Sequence, residues 1–180
     1  MKNVVKVLLF LCFVAVPAYA QQSFIGAGLT STSTSVYRKT GPSLEGNLHL
    51  GVVKFVNMEL GTADVYAVLF PDPGSRFSVA FHPSYFKKHK AQLFVAVGGQ
   101  WVNLTNADAW NSTLTVGAQV PYGFQLRVTR LYLQSQGYRY GFDYLKPIGK
   151  GLGFKVSSDL TVSRNAKDYH MLNVSIVKFW

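Results

Sequence analysis

The sequence predicts an all-β protein, an antiparallel up-and-down transmembrane β-barrel of ten strands. Three observations lead to this prediction. Segments of about ten residues alternate apolar and polar side chains along the chain after residue 20, and clusters of Gly, Pro, Asn, Asp and Lys separate them. The chain begins with the pattern of an export signal. The last alternating segment continues to the final residue and ends on two aromatic side chains.

Residues 1–20 have the three parts of a secretory signal peptide. Lys2 and Lys6 give a basic start, an apolar run follows, and the triplet Ala18-Tyr19-Ala20 is a cleavage site of the small-x-small type. The uncharged stretch from Val7 to Ala20 is shorter than the roughly 20 residues that a transmembrane helix needs. We therefore expect residues 1–20 to be removed, which leaves residues 21–180 as a single barrel domain.

The predicted mature chain lacks thiols and carries a positive charge. The single cysteine, Cys12, lies in the signal peptide, which excludes disulfides, thiolate metal sites and cysteine nucleophiles. The full chain has 18 basic and 8 acidic residues; without Lys2 and Lys6, 16 basic residues remain and the net charge is +8. This excess suits the phosphates of lipid and lipopolysaccharide. Because the basic residues are scattered along an exported chain, we expect no nucleic-acid partner.

The first five predicted strands differ in the clarity of their alternation. Residues 23–33 are small and rich in Gly and Thr. The second strand alternates without exception, with Leu44, Gly46, Leu48, Leu50 and Val52 against Glu45, Asn47, His49 and Gly51. Residues 58–70 alternate less cleanly and end at a Pro-Asp-Pro-Gly turn. The fourth strand, 76–85, contains Pro83, which cannot donate a backbone hydrogen bond. Residues 92–102 form the fifth strand.

The second half of the chain supplies five further strands. Residues 112–120 and 124–133 flank a tight turn, and residues 138–144, 152–163 and 170–180 follow. The predicted connections on the side of the termini are 53–56, 86–91, 121–123 and 146–151, and those on the opposite side are 34–41, 71–75, 103–111, 134–137 and 164–168. An even number of strands returns the C-terminus to the periplasmic side. Eight strands remain the alternative if the first or third segment is not a strand.

The face opposite the apolar one collects the charged and imidazole side chains, which are Glu45, His49, Arg76, His82, Arg139, Asp143, Lys155 and Asp159. Three formal cations meet three formal anions, as a narrow lumen requires, because unpaired buried charges are costly. A soluble sandwich would instead expose a face rich in Lys and Glu, whereas only 14% of the residues are charged. The pattern therefore predicts an inside-out packing, with a polar network in the lumen and apolar side chains in lipid.

The chain resembles the small bacterial outer-membrane barrels typified by the transmembrane domain of outer-membrane protein A and by outer-membrane protein X. The resemblance rests on the Ala18-Tyr19-Ala20 site, the alternating segments and the terminal Phe179-Trp180, and it covers the whole mature chain as a pattern. It implies that the barrel-assembly machinery reads the aromatic C-terminus. Lys178 departs from this pattern, because the position two before the end is usually apolar; its side chain can extend to the headgroups.

Two constellations are candidates for chemistry or binding. His82 and Ser84 share a face, and the lipid A deacylases of the outer membrane are similar small barrels with a His-x-Ser pair and a nearby acid, for which Asp64 or Asp72 would serve here. Lys87, Lys88 and Lys90 form a basic turn that is a candidate for binding lipid headgroups, or else a solvated turn. No cofactor or metal site is expected from the sequence.

The sequence favours an integral barrel of a Gram-negative outer membrane with a structural, adhesive or envelope-interaction role. Its expected partners are outer-membrane lipid and lipopolysaccharide. Three alternatives stay open at this point: a lipid A-modifying enzyme, a narrow pore, and a soluble secreted ligand-binding β-barrel.

Overall fold

Ten antiparallel strands close into one barrel in the computed structural model, which describes residues 22–36, 38–55, 57–70, 74–83, 91–104, 107–120, 123–132, 136–164 and 168–180. The strands are β1 (Phe24–Ser33), β2 (Arg38–Phe55), β3 (Met58–Leu69), β4 (Arg76–Pro83), β5 (Gln92–Leu104), β6 (Ala107–Val120), β7 (Phe124–Leu131), β8 (Gly137–Gly149), β9 (Leu152–Ser163) and β10 (Tyr169–Phe179). Each strand pairs with its neighbours in sequence, and β1 pairs with β10. The predicted ten-strand barrel is confirmed, and the eight-strand alternative is wrong. The predicted signal peptide lies outside the described residues.

The seam between β1 and β10 closes the barrel. Its register runs without interruption from Phe24 opposite Phe179 to Ser33 opposite His170. Beyond the strands, the backbone N–H of Trp180 donates to the carbonyl of Ser23 at 3.2 Å. Ser23, near the start of the described residues, and Trp180 therefore lie at one end of the barrel, here called the terminal end; the opposite end, with the β1–β2 and β9–β10 connections, is called the far end.

Side chains alternate between the interior and the outer surface along each strand, as a period of two requires. On β10, Asn173 and Ser175 are buried, whereas Val174 and Ile176 between them are exposed. The buried set is mostly polar. Buried apolar side chains are fewer, and among the described residues Val68, Phe70 and Met171 form a small cluster. The barrel interior is thus a polar core.

Four predicted connections turn out to be partly or largely strand. β2 (Arg38–Phe55) contains half of the predicted loop 34–41 and most of the predicted turn 53–56, and β8 continues to Gly149, inside the predicted turn 146–151. β5 and β6 stay paired as far as Leu104 opposite Ala107, so the predicted loop 103–111 is wrong and Trp110 lies on β6, opposite Trp101. The two indole rings are 6.4 Å apart, and such cross-strand aromatic pairs stabilise a hairpin against the turn-forming tendency of its Asn and Asp residues.

The lengths of the connections do not distinguish the two ends. At the terminal end the strands leave 84–91 between β4 and β5, but only 150–151 between β8 and β9. At the far end they leave 132–136 between β7 and β8, but only 105–106 between β5 and β6. Each end therefore combines long and short connections, and loop length carries no information on orientation here.

Candidate functional site: the charged barrel interior

All eight side chains that the sequence assigned to the lumen lie on the interior face of their strands. Seven of them are buried or nearly so, and His49 retains a side-chain exposure of 23%. Two further ionisable residues, Asp64 and Arg127, project into the same space. Within the described residues, the interior therefore holds four formal cations, Arg76, Arg127, Arg139 and Lys155, and four carboxylates, Glu45, Asp64, Asp143 and Asp159.

The first group of contacts surrounds Glu45 on β2. Lys155, which projects from β9, donates a hydrogen bond to this carboxylate and a second one to the hydroxyl of Tyr66 at 2.7 Å. Tyr66 in turn donates to Glu45 at 2.9 Å, and Ser175 on β10 donates to the other carboxylate oxygen. Because β2 and β9 are separated by β1 and β10 around the barrel, this group connects strands that are not neighbours.

The second group is centred on Asp159, which is fully buried. Arg76 on β4 donates to one carboxylate oxygen, and Arg127 on β7 donates to the other at 2.8 Å. A second nitrogen of Arg127 donates to Asp143 on β8. β4 and β9 are five positions apart in either direction around the ring of strands, so the pair of Arg76 and Asp159 spans the full diameter of the lumen.

Arg139 is the cation whose charge is matched least. Its guanidinium reaches across the interior from β8 and donates to the side-chain carbonyl of Gln100 on β5. Gln100 lies directly opposite Arg76 in the β4–β5 register, so the two guanidinium groups belong to one layer of the lumen. Among the described residues, Arg139 forms no ion pair with a carboxylate, and neither its Nε nor that of Arg76 has a hydrogen-bond partner.

Asp64 lies between two histidines. Its carboxylate is 2.7 Å from Nδ1 of His49 and 2.8 Å from Nε2 of His82. His82 therefore contacts Asp64, one of the two acids that the sequence suggested as its partner. Ser84, its predicted partner, lies outside the described residues, as do Lys87, Lys88 and Lys90. His49 contacts Asp64 rather than Glu45, as the spacing of four residues along a strand leads one to expect.

A cavity of about 170 Å³ occupies the space beside these groups. It extends from the rim of the terminal end, where Gln22 and Gly123 line it, to Arg76 and Arg139 in the interior. Within the described residues, β4, β5 and β6 contribute no carboxylate to the cavity. Besides Arg76, His82 and Gln119, their side chains at the cavity are small or apolar, among them Ser78, Ala80, Phe94, Ala96, Thr113 and Thr115. The cavity therefore has an apolar wall and a cationic inner end.

Asp64 and Arg127 are interior charges outside the predicted lumen network, although Asp64 was a candidate acid for His82. Only Arg127 carried a clear signal of an interior position in the sequence. Arg127 lies between Leu126 and Val128 in a cleanly alternating strand, so its interior position could be found from the pattern. Asp64 lies on β3, where Ala63 and Val65 flank it but the remainder of the strand alternates poorly.

Comparison with known proteins supplies no family for this chain. No protein-family model matches the sequence, and no curated protein matches it. In the described part of the chain, no helix is long and apolar enough to cross a membrane. The same residues contain no group of three or more His, Cys, Asp or Glu side chains that could hold a metal ion.

Proposed function

We propose that the chain is an integral β-barrel of a bacterial outer membrane with a structural or envelope-interaction role. The observation that carries this proposal is the band of exposed apolar side chains, to which all ten strands contribute. It includes Ile25, Leu29, Leu44, Leu48, Leu69, Phe77, Val79, Val95, Val97, Val116, Leu126, Val128, Tyr140, Leu160, Val174 and Ile176.

This band is difficult to reconcile with a soluble monomer. A soluble protein rarely exposes a contiguous apolar patch larger than a few hundred Å², whereas here the patch encircles the molecule. In hydrocarbon the same side chains are favourably placed, and a closed sheet leaves no unpaired strand edge to face the lipid. The combination of this band with a charged interior supports the membrane barrel over the soluble ligand-binding barrel.

The aromatic and basic side chains of the far end support a contact with lipid headgroups or lipopolysaccharide. Trp101, Trp110, Tyr132 and Tyr138 are exposed near this end, as expected for aromatic residues at a membrane–water boundary. Arg130 lies over the ring of Tyr138, 4.5 Å from its centre. Such a guanidinium, held on an aromatic face near the boundary, suits an anionic headgroup.

The interior supports a structural role over an open pore. The pair of Arg76 and Asp159 crosses the whole diameter of the lumen, and Arg139 crosses part of it to reach Gln100. At the terminal end, Trp180 is 67% exposed, where the barrel-assembly machinery would contact it in the proposed pathway.

Fractionation and one pair of variants test the proposal. The mature protein should fractionate with outer membranes and migrate differently on a gel before and after heating in detergent. Val97→Arg places a charge in the middle of the apolar band and should lower the free energy of unfolding in bilayers by about 2–4 kcal/mol. Val36→Arg, an identical change in the far-end turn, should have little effect. Recovery of the protein from the soluble fraction without detergent would contradict the proposal.

A second candidate is a hydrolase of acyl esters, and the contact between His82 and Asp64 favours it. A carboxylate at 2.8 Å from Nε2 orients a histidine as a general base would require. Since His82 is buried on the interior face, the substrate would have to enter the lumen. Incubation with lipopolysaccharide tests this candidate: acyl release that is lost in both Ser84→Ala and Asp64→Asn would favour it, and no release by the wild-type protein would exclude it.

A further inference from the structure

The interior cavity contains polar groups whose hydrogen-bonding capacity the protein does not use. Arg139 is 4% exposed and lines the cavity, yet its Nε has no hydrogen-bond partner among the described residues. The Nε of Arg76, which also lines the cavity, has none either. A buried donor without a partner is costly, and more so when it is charged. The same lining holds two acceptors without a partner among the described residues, Oδ1 of Asp143 and Oε1 of Gln119. Nε of Arg139 and Nε of Arg76 are the charged donors among these atoms, and they favour a molecule in the cavity that accepts hydrogen bonds.

The distribution of charge indicates the sign and the size of that molecule's charge. Three of the four interior cations have a carboxylate of their own, in the pairs of Lys155 with Glu45, Arg127 with Asp143 and Arg76 with Asp159. Arg139 has none within the described residues, because the fourth carboxylate, Asp64, lies between His49 and His82. Arg139 is therefore the interior cation, among those described, that lacks a contacting anion. A doubly charged anion would meet repulsion from Asp159, which bonds to Arg76 in the same layer.

The walls indicate the rest of the ligand. The apolar part of the lining consists of Phe94, Ala96 and Ala80 on one side and of Val68 and Phe24 on the other. Lys155 and the carboxylates Asp64, Asp143 and Asp159 also line the cavity. The cavity volume of about 170 Å³ is comparable with the roughly 150 Å³ of an apolar cavity that binds benzene. An apolar body of that size would be removed from water on entry, which is favourable.

We propose that the barrel interior binds a small organic monoanion, such as a carboxylate on an apolar body. The anionic oxygens accept hydrogen bonds from Arg139 and Arg76, and the apolar body lies against Phe94 and Ala96. The rim residues Gln22 and Gly123 mark the terminal end as the route of entry. Such a site does not depend on where the barrel resides, because its walls and charges belong to the interior.

Titration calorimetry with two probes of nearly equal shape tests this site. Cyclohexanecarboxylate and the neutral cyclohexanecarboxamide are titrated into the full mature barrel in non-ionic detergent, and detergent alone provides the baseline. A charge-assisted hydrogen bond predicts that the carboxylate binds roughly tenfold to a hundredfold more tightly than the amide. Equal binding of the two probes would overturn the proposal, as would tighter binding of inorganic phosphate than of the carboxylate.

Three variants identify the groups responsible. Arg139→Gln should remove the preference for the carboxylate over the amide, whereas Arg38→Gln, at the exposed start of β2, should retain it. Ala96→Phe fills the cavity and should abolish binding of both probes while Arg139 stays in place, so it decides the question if Arg139→Gln does not fold. The heat-dependent gel shift reports folding of each variant. Carboxylate binding that survives in folded Ala96→Phe would place the ligand elsewhere and overturn the proposal.

Discussion

Asparagine in place of Asp159 would isolate the electrostatic contribution of the pair that crosses the lumen. Asp159 is fully buried and accepts hydrogen bonds from Arg76 on the opposite wall and from Arg127. Asparagine has nearly the same volume, so Asp159→Asn leaves no cavity. The variant removes one negative charge and leaves the two guanidinium groups in place. Any change in stability therefore reports the loss of charge matching.

The expected loss of stability depends on which carboxylates each arginine still contacts in the variant. Removal of one partner from a buried ion pair costs about 3–5 kcal/mol. Arg127 keeps Asp143, but Arg76 keeps no other carboxylate within the described residues, so we expect Asp159→Asn to lower the free energy of unfolding by about 3 kcal/mol. Asp143→Asn should cost less, about 1–2 kcal/mol, because Arg127 still bonds to Asp159. Urea unfolding of the barrel refolded into lipid vesicles, followed by tryptophan fluorescence, measures both.

Two further variants control this comparison. Asp168→Asn removes an exposed carboxylate that accepts from the backbone N–H of Ser163, and it should have an effect below about 1 kcal/mol. The double variant Arg76→Met with Asp159→Asn should lose less stability than the sum of its two single changes, because both members of the pair are then absent. If Asp159→Asn stayed within about 1 kcal/mol of the wild type, or cost no more than Asp143→Asn, the pair of Arg76 and Asp159 would not contribute to stability as a buried ion pair.

Two other predictions concern the Glu45 group and the outer surface. Lys155→Met leaves Glu45 buried without its cation and should cost about 3 kcal/mol, whereas Lys155→Met combined with Glu45→Gln should recover part of that loss in the same urea assay. Gly99→Ala should displace Trp110 and change the near-ultraviolet circular dichroism, because the added Cβ would lie 1.8 Å from an indole carbon; Gly46→Ala, whose Cβ would have 3.6 Å to its nearest neighbour, should not. An unchanged Gly99→Ala spectrum would contradict this packing.

The fold was predictable because the alternation of apolar and polar residues is a local property of the sequence, and because the alternating segments can be counted. The strict alternation around Glu45 and His49 shows which side chains of β2 face the interior and which face outward. Ten alternating segments in succession then favour a closed up-and-down barrel. The hairpin ends were less predictable. Asn103 and Asp108 are typical of turns, but they lie opposite each other in the extended β5–β6 ladder, where pairing with the neighbouring strand outweighs local preference.

The contacts between interior side chains could not be predicted from the sequence, for a geometric reason. Alternation shows that Arg76 and Asp159 face inward, but not that they meet, because that depends on which strands lie opposite each other after closure. The same holds for Asp64, whose two histidines come from both neighbouring strands, β2 and β4. The sequence could show that the inward-facing positive and negative charges balance. Which residues form pairs depends on the number of strands and on their stagger in the closed barrel.

The interior network also bears on how the barrel assembles. Asp159 and Arg76 are 83 residues apart, and Lys155 and Glu45 are 110 residues apart, so neither pair forms within a hairpin. In an open sheet within lipid these charges would be unmatched, which is costly at the bilayer centre. Closure of the β1–β10 seam brings β9 and β10 within reach of β2, and the pairs then stabilise only the closed form. The charged core therefore favours a cooperative transition, because a sheet without its seam keeps contacts between neighbouring strands, such as that of Arg127 with Asp143, but lacks these two pairs.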